Sequence, residues 1–386
     1  MACEHRPLSV NPQMATDNLE VLNVGVLPVS GGGFPIQLAG LSKMCQTKHH
    51  FDVVLASSGG NVAAYLAMSG NWHWAGIERA ISQLRPDWFS KSWSPVWLLS
   101  SWYSYTNRCM RASGKGVLDF MLRNFSRDSV QQTEVWTGAF NKTTQKTCLF
   151  CNLDRDAVTL RPSSRQLLVA NQEDPIYAAG DLGLISKYCL GSASIPHQVP
   201  PVEINGNKYI DGGMSSASPL STLASEIENH PAKVINLTYF SYQDMEASTP
   251  CTRGDLVTDI MGTIGSLIKC LAIADRRRAC EIIARRGPLE TAHFAIDWKT
   301  LEVVEELRKE TGSSMLEIYS TCCDYIDIDE VCPDKVMSLM KRAENNLHGR
   351  LWYISTDEQR EKGLLRKIRD LELEAYRQLG AADQDD

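Results

Sequence analysis

Three stretches hold residues whose types and spacing could do chemistry. The first centres on Ser58, within Phe51 to Asn61: Phe-Asp-Val-Val-Leu-Ala-Ser-Ser-Gly-Gly-Asn. Phe51 to Leu55 is an apolar, β-branched run of strand length, and Asn61 to Met68 is rich in helix formers. Ser58 therefore falls at a strand-to-helix corner, the arrangement of a nucleophile elbow. Such a serine is strained and its helix turns back close to the strand, so the neighbours must be tiny, as Ala56, Gly59 and Gly60 are. A corner of small residues without chemistry remains open at this point. The second stretch ends on Asp211. Val202 to Ile204 and Lys208 to Ile210 flank Asn205-Gly206, a strong hairpin signal, and the second strand delivers Asp211 into Gly212-Gly213. An Asp before two glycines is a turn signal, and also a way to present a carboxylate at the rim of a sheet. The third is Gly31-Gly32-Gly33, directly after the buried-strand pattern Leu19 to Ser30. It could be a plain loop, a phosphate cradle or a row of N–H donors for an oxyanion. A dinucleotide fingerprint fails because Ile36 stands where the third glycine is needed, and no Gly-Lys-Ser or Gly-Lys-Thr follows for a P-loop. The donor reading fits a serine nucleophile on the neighbouring strand.

The elements that must position these groups follow the same text. Strand, triple-glycine loop, helix (Ile36 to Gln46), strand, serine corner and helix begin a parallel sheet covered by helices. Further on, Val117 to Phe125 is expected as helix, Val135 to Phe140 and Thr147 to Leu153 as strands, and Gln166 to Ser186 with Tyr188 to Leu190 as mostly helix. Pro219 to Ile227 reads as helix, Ala232 to Phe240 as a buried strand, Leu256 to Arg286 as a long amphipathic helix and His293 to Trp298 as a last strand. After that the text is charged and helical: Leu301 to Thr311, Ser314 to Cys322, Pro333 to Leu347 and Asp357 to Leu379.

Composition bounds the function. The 386 residues are 43% hydrophobic and 22% charged, an ordinary globular chain large enough for a full core. A formal charge of -7 gives no bulk attraction to nucleic acid. No run approaches the roughly 18 apolar residues of a membrane span. The opening Met-Ala-Cys-Glu-His-Arg-Pro lacks the apolar core of a signal peptide, and the common lipid-anchor motifs are missing from both ends. An intracellular, cytoplasmic protein is expected. Its twelve cysteines are then expected to stay reduced. Cys148-Leu-Phe-Cys151 has metal-ligand spacing but no second pair, and it alternates like a strand, so core cysteine is the reading. Six of the nine tryptophans (72, 74, 88, 93, 97 and 102) fall within residues 70 to 106. They read as a cap packed on the sheet, compatible with a cover over an apolar substrate or a face at a lipid interface. The basic face with Arg276, Arg277, Arg278, Arg285 and Arg286 is expected to be solvated, with anionic headgroups as the alternative contact.

Taken together, Ser-Gly-Gly-Gly (Ser30 to Gly33), Ala-Ser-Ser-Gly-Gly (Ala56 to Gly60) and Asp-Gly-Gly (Asp211 to Gly213) resemble the patatin-like phospholipases, a family of lipid acyl hydrolases. The strand text before the corner, and Ala193-Ser-Ile-Pro, Val199-Pro-Pro-Val and Tyr209-Ile before the Asp, fit the same family. The resemblance covers about residues 20 to 300. It implies a three-layer α/β fold with a mostly parallel central sheet covered by helices, and a helical C-terminal extension. The expected division is a flexible tail at 1–18, a patatin-like hydrolase domain at 19–300 and a charged, mainly helical region at 301–386. The resemblance also implies a Ser–Asp dyad, with Ser58 as nucleophile and Asp211 as the base that later activates water on an acyl-enzyme. Gly31, Gly32, Gly33 and Gly59 would supply oxyanion donors. No metal or cofactor is required; the expected partner is a lipid substrate, membrane or storage, met at a membrane or lipid surface. The chain departs from the family pattern at three places. Ala56 replaces a Gly, Phe34-Pro35-Ile36 replaces a segment with Arg or Lys before Gly, and Ala217 stands for an Asn. These departures keep open a catalytically weak or inactive lipid-binding or scaffold protein. A Ser-Asp-His triad through His230, His293 or His348 is a further alternative, against which the Asp-Gly-Gly context argues.

Overall fold

The computed structural model describes residues 20–47, 49–70, 72–85, 115–125, 129–169, 171–196, 199–241, 256–296, 298–321, 326, 331–354, 370 and 373. The tail expected at 1–18, the tryptophans from Trp88 to Trp102 and all but two residues of the helix expected over Asp357 to Leu379 lie outside these.

In chain order the strands are β1 (Val21–Leu27), β2 (Val53–Ser57), β3 (Glu134–Asn141), β4 (Lys146–Cys151), β5 (Ile176–Tyr177), β6 (Val202–Ile204), β7 (Asn207–Asp211), β8 (Val234–Phe240), β9 (Leu289–Ala295), β10 (Ser314–Ser320) and β11 (Leu347–Ile354). The helices are α1 (Phe34–Gln46), α2 (Ser58–Ser69), α3 (Trp74–Ser82), α4 (Lys115–Asn124), α5 (Ser164–Val169), α6 (Leu182–Ser192), α7 (Leu220–Glu228), α8 (Leu256–Ala284), α9 (Trp298–Glu310) and α10 (Pro333–Glu344). The strands form one sheet in the order β5-β4-β3-β2-β1-β8-β10-β11-β9, with β7 paired to β3 and β6 to β7. The central run β3-β2-β1-β8-β10 is parallel, and antiparallel partners extend it at both margins. The α/β fold with a mixed, mostly parallel central sheet is thus as expected.

The two-residue period of the strands sorts the core into layers. Leu22, Val24 and Val26 of β1, with Val53 and Leu55 of β2, pack on one face against α7 and the end of α8. Leu27, Val54 and Ala56 face the other way, toward α1 and α2. Burial on both faces is why these strands read as unbroken apolar runs. The hairpin β6-β7 turns through Asn205 (φ 51°) and Gly206 (φ 78°), the positive angles its Asn-Gly pair favours.

Two stretches differ from expectation. Gln166 to Ser186 is not continuous helix: α5 and α6 are separated by β5, and Asp181 restarts the chain by accepting the Leu184 N–H as an N-cap (3.0 Å). Beyond residue 300 the helical expectation for Ser314 to Cys322 is corrected. Ser314–Ser320 is β10, which pairs parallel with β8 and antiparallel with β11, itself unforeseen. Every residue of β10 is buried, so its alternation is lost. Its one charge, Glu317, is engaged inside the fold by Arg276 (3.2 Å) and Arg350 (3.6 Å). Beyond residue 300, β10 and β11 therefore belong to the same sheet as β1 and β2.

The basic face of α8 and of the turn that follows it is also largely engaged within the fold. Arg278 and Arg285 pair with Glu228 (2.9 and 2.5 Å), and Arg286 donates to the carbonyls of Glu228, His230, Ala232 and Lys233.

Candidate active site

The loop after β1 and the corner after β2 meet at the carboxyl ends of the parallel strands. There the strand order reverses, with β2 on one side of β1 and β8 on the other. Crevices at such switch points are where open α/β sheets bind ligands. Ser58 is the first residue of α2 and holds a φ of 53°, a left-handed conformation that costs about 1–2 kcal/mol for a residue with a side chain. The surroundings enforce it. The Ser58 N–H donates to the Ser192 hydroxyl (3.0 Å), which in turn donates to the Gly138 carbonyl (2.6 Å). Asn61 anchors the first turn of α2, donating to the Cys189 carbonyl (3.1 Å) and accepting from Thr137 (2.9 Å). Gly59 and Gly60 are required by close approach: a methyl on either would collide with the carbonyls of Gly31 or Leu27.

Asp211 ends β7, beside Ala139 of β3, and its N–H donates to the Ser194 carbonyl (3.0 Å). Its Oδ2 accepts the Ser58 hydroxyl at 2.6 Å, and its Oδ1 accepts the Gly213 N–H at 2.7 Å. Ser58 and Asp211 are 2% and 4% exposed, so both act in a low-dielectric setting. Burial pushes the Asp211 carboxyl up to about 6, against the opposing pull of the Ser58 and Gly213 bonds.

Gly31–Gly33 forms a single 3-10 turn in which Gly31 takes φ 49°. The Gly33 N–H closes that turn onto the Ser30 carbonyl (2.8 Å), so the expectation that Gly33 donates to an oxyanion is corrected. The N–H groups of Gly31 and Gly32 have no partner among the described residues. The Gly59 N–H, in the first turn of α2, likewise has no helical acceptor. The loop is fixed by Gln37, which donates to the carbonyls of Pro28 and Phe240 (2.9 Å each) and accepts from Ser30 (2.7 Å). From beyond residue 300, the Ile326 N–H donates to the Gly32 carbonyl (3.1 Å).

Gly31, Gly32, Ser58 and Gly59 line one cavity of about 970 Å³, its open mouth included. Its other walls are almost wholly apolar, with Val62, Leu66, Met121 and Leu190 among them and Ile326 and Val331 from beyond residue 300. Along α2 the lining runs from Ser58 to Leu66, a length of about 12 Å at the helical rise. The arrangement offers a serine bonded to a carboxylate, unpaired backbone donors beside it and a greasy slot.

The family model of the patatin-like phospholipases matches residues 27–224, half of the chain and all three motifs. The protein belongs to the patatin-like phospholipase family. Among solved structures, VipD from Legionella pneumophila is similar at 10% identity over 85% of this chain and 67% of that one, with a TM-score of 0.30. A superposition that loose leaves the assignment resting on the family match. No curated protein matches the chain.

In this patatin-like protein the three histidines considered for a triad lie far from Ser58. His230 precedes β8, whose Val234 pairs with Val21, whereas Ser58 follows Ala56, which pairs with Leu27. The length of β1, about 20 Å, separates those ends. His293 on β9 and His348 on β11 stand five and four strand positions from β2, about 24 and 19 Å across the sheet. The triad alternative through these residues is set aside. Cys148 and Cys151 are buried on opposite faces of β4, where two ligands of one metal could not meet. Sequence reasoning passed over Ser192, Asn61 and Gln37. Asn61 stands inside a quoted stretch and Ser192 directly before one, and Gln37 was detectable as the one amide in the apolar start of α1.

Proposed function

We propose that the protein is a lipid acyl hydrolase working through Ser58 and Asp211. The observation that carries this reading is the 2.6 Å bond between the Ser58 hydroxyl and the Asp211 carboxylate, at a strained corner opening into an apolar cavity. Ser58 Oγ attacks the ester carbonyl while Asp211 Oδ2 takes its proton. The oxyanion is met by the N–H groups of Gly31, Gly32 and Gly59, which are unpaired and line the same cavity. Protonated Asp211 returns the proton to the departing alcohol, leaving an acyl-Ser58 ester. Asp211 then deprotonates water, whose oxygen attacks that ester; the fatty acid leaves, and the proton on Asp211 returns to Ser58 Oγ. An acyl chain has room along α2 between Val62 and Leu66. Among the described residues no helix is long and apolar enough to cross a membrane.

A serine-reactive fluorophosphonate probe and a lipid ester assay test the proposal. Wild type is expected to label and to release fatty acid, and Ser58→Ala to do neither. Equal labelling and release by both proteins would refute it.

A further inference from the structure

Resting on the hydrolase reading, a buried carboxylate outside the chemistry bears on how the site is held together. Asp275 lies on α8, beyond the residues that the family model matches. It is 6% exposed, and no cation pairs with it among the described residues. The next residue, Arg276, is turned to Glu317 of β10 (3.2 Å). A carboxyl without a cation inside a fold is costly, and burial pushes this one up to about 7. Its Oδ2 accepts two hydroxyls, those of Ser218 (2.6 Å) and of Tyr239 on β8 (3.3 Å). Tyr239 has a second acceptor in the Ala272 carbonyl (3.0 Å), one turn back on α8. Ser218 has no other acceptor among the described residues.

Ser218 sits at the joint between the two halves of the site. The stretch that links β7 to α7 begins with the turn of Asp211, whose Oδ1 accepts the Gly213 N–H (2.7 Å). It ends with two ties. The Ala217 carbonyl accepts the Val29 N–H (2.8 Å), and the Ser218 hydroxyl donates to Asp275. Val29 stands two residues before Gly31, and Gly213 is seated directly on it: a methyl on Gly213 would come within 2.8 Å of the Val29 Cγ2. Val29, Ala217 and Ala272 form one small buried cluster. α8 is therefore the floor on which the Asp211 turn and the glycine loop meet. Neither Ser218 nor Asp275 lines the cavity.

We infer that Asp275 is a positioning residue of the enzyme: by accepting the Ser218 hydroxyl it keeps the turn bearing Asp211 and the loop bearing Gly31 and Gly32 in register, without itself touching substrate.

The test measures kcat and KM for p-nitrophenyl butyrate in wild type, Ser218→Ala, Asp275→Ala, the double Ala variant and Asp275→Asn. Turnover is read at pH 8, well below the thermal unfolding midpoint of each protein. Each Ala variant is expected to lose about ten- to a hundredfold in kcat, the cost of a small misplacement, with KM within about twofold. The double variant should be no slower than the slower single one, since both changes remove the same bond. Asp275→Asn keeps an acceptor for Ser218 and should hold kcat within about threefold. The pH profile of Asp275→Ala supplies a second readout. The Asp211 carboxyl is set by burial against the Ser58 and Gly213 bonds, so a loosened turn weakens the Gly213 bond and moves the kcat/KM midpoint above 6. Loss of a nearby negative charge would by itself move it the other way.

Ala variants that melt earlier yet keep wild-type kcat and midpoint would overturn the inference, leaving Asp275 a structural group. Losses that multiply in the double variant, or an Asp275→Asn as slow as Asp275→Ala, would overturn the link through Ser218. Should Asp275→Ala not fold, Ser218→Ala and Asp275→Asn decide the matter by the same criteria. A wild type that does not turn over the ester refutes the hydrolase reading as well; each of the other outcomes leaves Ser58 and Asp211 in place.

Discussion

Asp211→Asn should make the protein more stable and nearly inactive, with both effects depending on pH. The side chain is 4% exposed, and burial raises its carboxyl from the ordinary 3.8 to about 6. The folded state therefore holds a proton that the unfolded chain has already released between about pH 4 and 6. Stability conferred by the neutral form is present below the unfolded value and is lost as pH rises through the folded one. The loss is about 3 kcal/mol by pH 8 and about 0.5 kcal/mol at pH 4. Asn is neutral at every pH and escapes it. Its Oδ1 can keep the Gly213 N–H while its Nδ2 donates to Ser58 Oγ, and the Ser58 hydroxyl, which loses its carboxylate acceptor, can turn its proton into the cavity that it lines. Urea and thermal unfolding of wild type and Asp211→Asn at pH 4, 6 and 8 should show an advantage growing from near zero to about 3 kcal/mol. Over the same range, wild-type kcat/KM should climb through a midpoint near 6 as the base ionises. The variant should lose about 10²- to 10⁴-fold, the usual contribution of a general base. A variant that is less stable than wild type at pH 8 would refute the electrostatic reasoning. One that keeps activity within tenfold would remove Asp211 from the chemistry.

Gln37→Leu should destabilise the fold by about 2–4 kcal/mol in urea titrations, because the Pro28 and Phe240 carbonyls lose their shared donor. Fluorophosphonate labelling of Ser58 should slow with it, since the same amide fixes the loop carrying Gly31 and Gly32. Ala substitutions of His230, His293 and His348, made singly, should each leave kcat/KM within about threefold. A hundredfold loss from any one of them would bring back a histidine-dependent mechanism.

The site was more legible in the sequence than its supports. Ser58 and Asp211 announce themselves because a strained corner and a tight approach tolerate only glycine and alanine around them, and small residues leave a mark in text. Gln37 and Ser192 leave none of that kind, because what matters is which carbonyl or N–H lies opposite, and those partners are 203 and 134 residues away in the chain. Gly33 misled for a related reason. Its residue type allows an oxyanion donor, but whether its N–H is available depends on the closure of one turn. The centre of the sheet was readable from runs buried on both faces. β10 was not, since its apolar residues fit a helix equally well and its buried Glu317 resembles a solvent-facing charge until Arg276 and Arg350 are placed beside it. β5, two residues long, is below what periodicity can detect.

The departures from the family pattern argue for tuning of the site over its loss. Ala56 adds a methyl that is fully buried with Leu27 and Ala63 on the α2 side of the sheet, and its register with Leu27 is regular. Ala217 packs on Val29 and Ala272, and its carbonyl accepts the Val29 N–H (2.8 Å), which ties the chain beyond Asp211 to the end of β1. Phe34-Pro35-Ile36 has the largest chemical consequence. Pro35 falls in the first turn of α1, where a missing N–H costs nothing, so the helix starts immediately after the glycines. The basic side chain that the family carries there is absent. Here only the Ser58 and Gly213 bonds oppose burial, and the carboxyl stays near 6. A base with that affinity takes a proton from serine more readily than one held near the ordinary carboxylate value. A raised carboxyl of this kind is what the proposed role of Asp211 as base calls for.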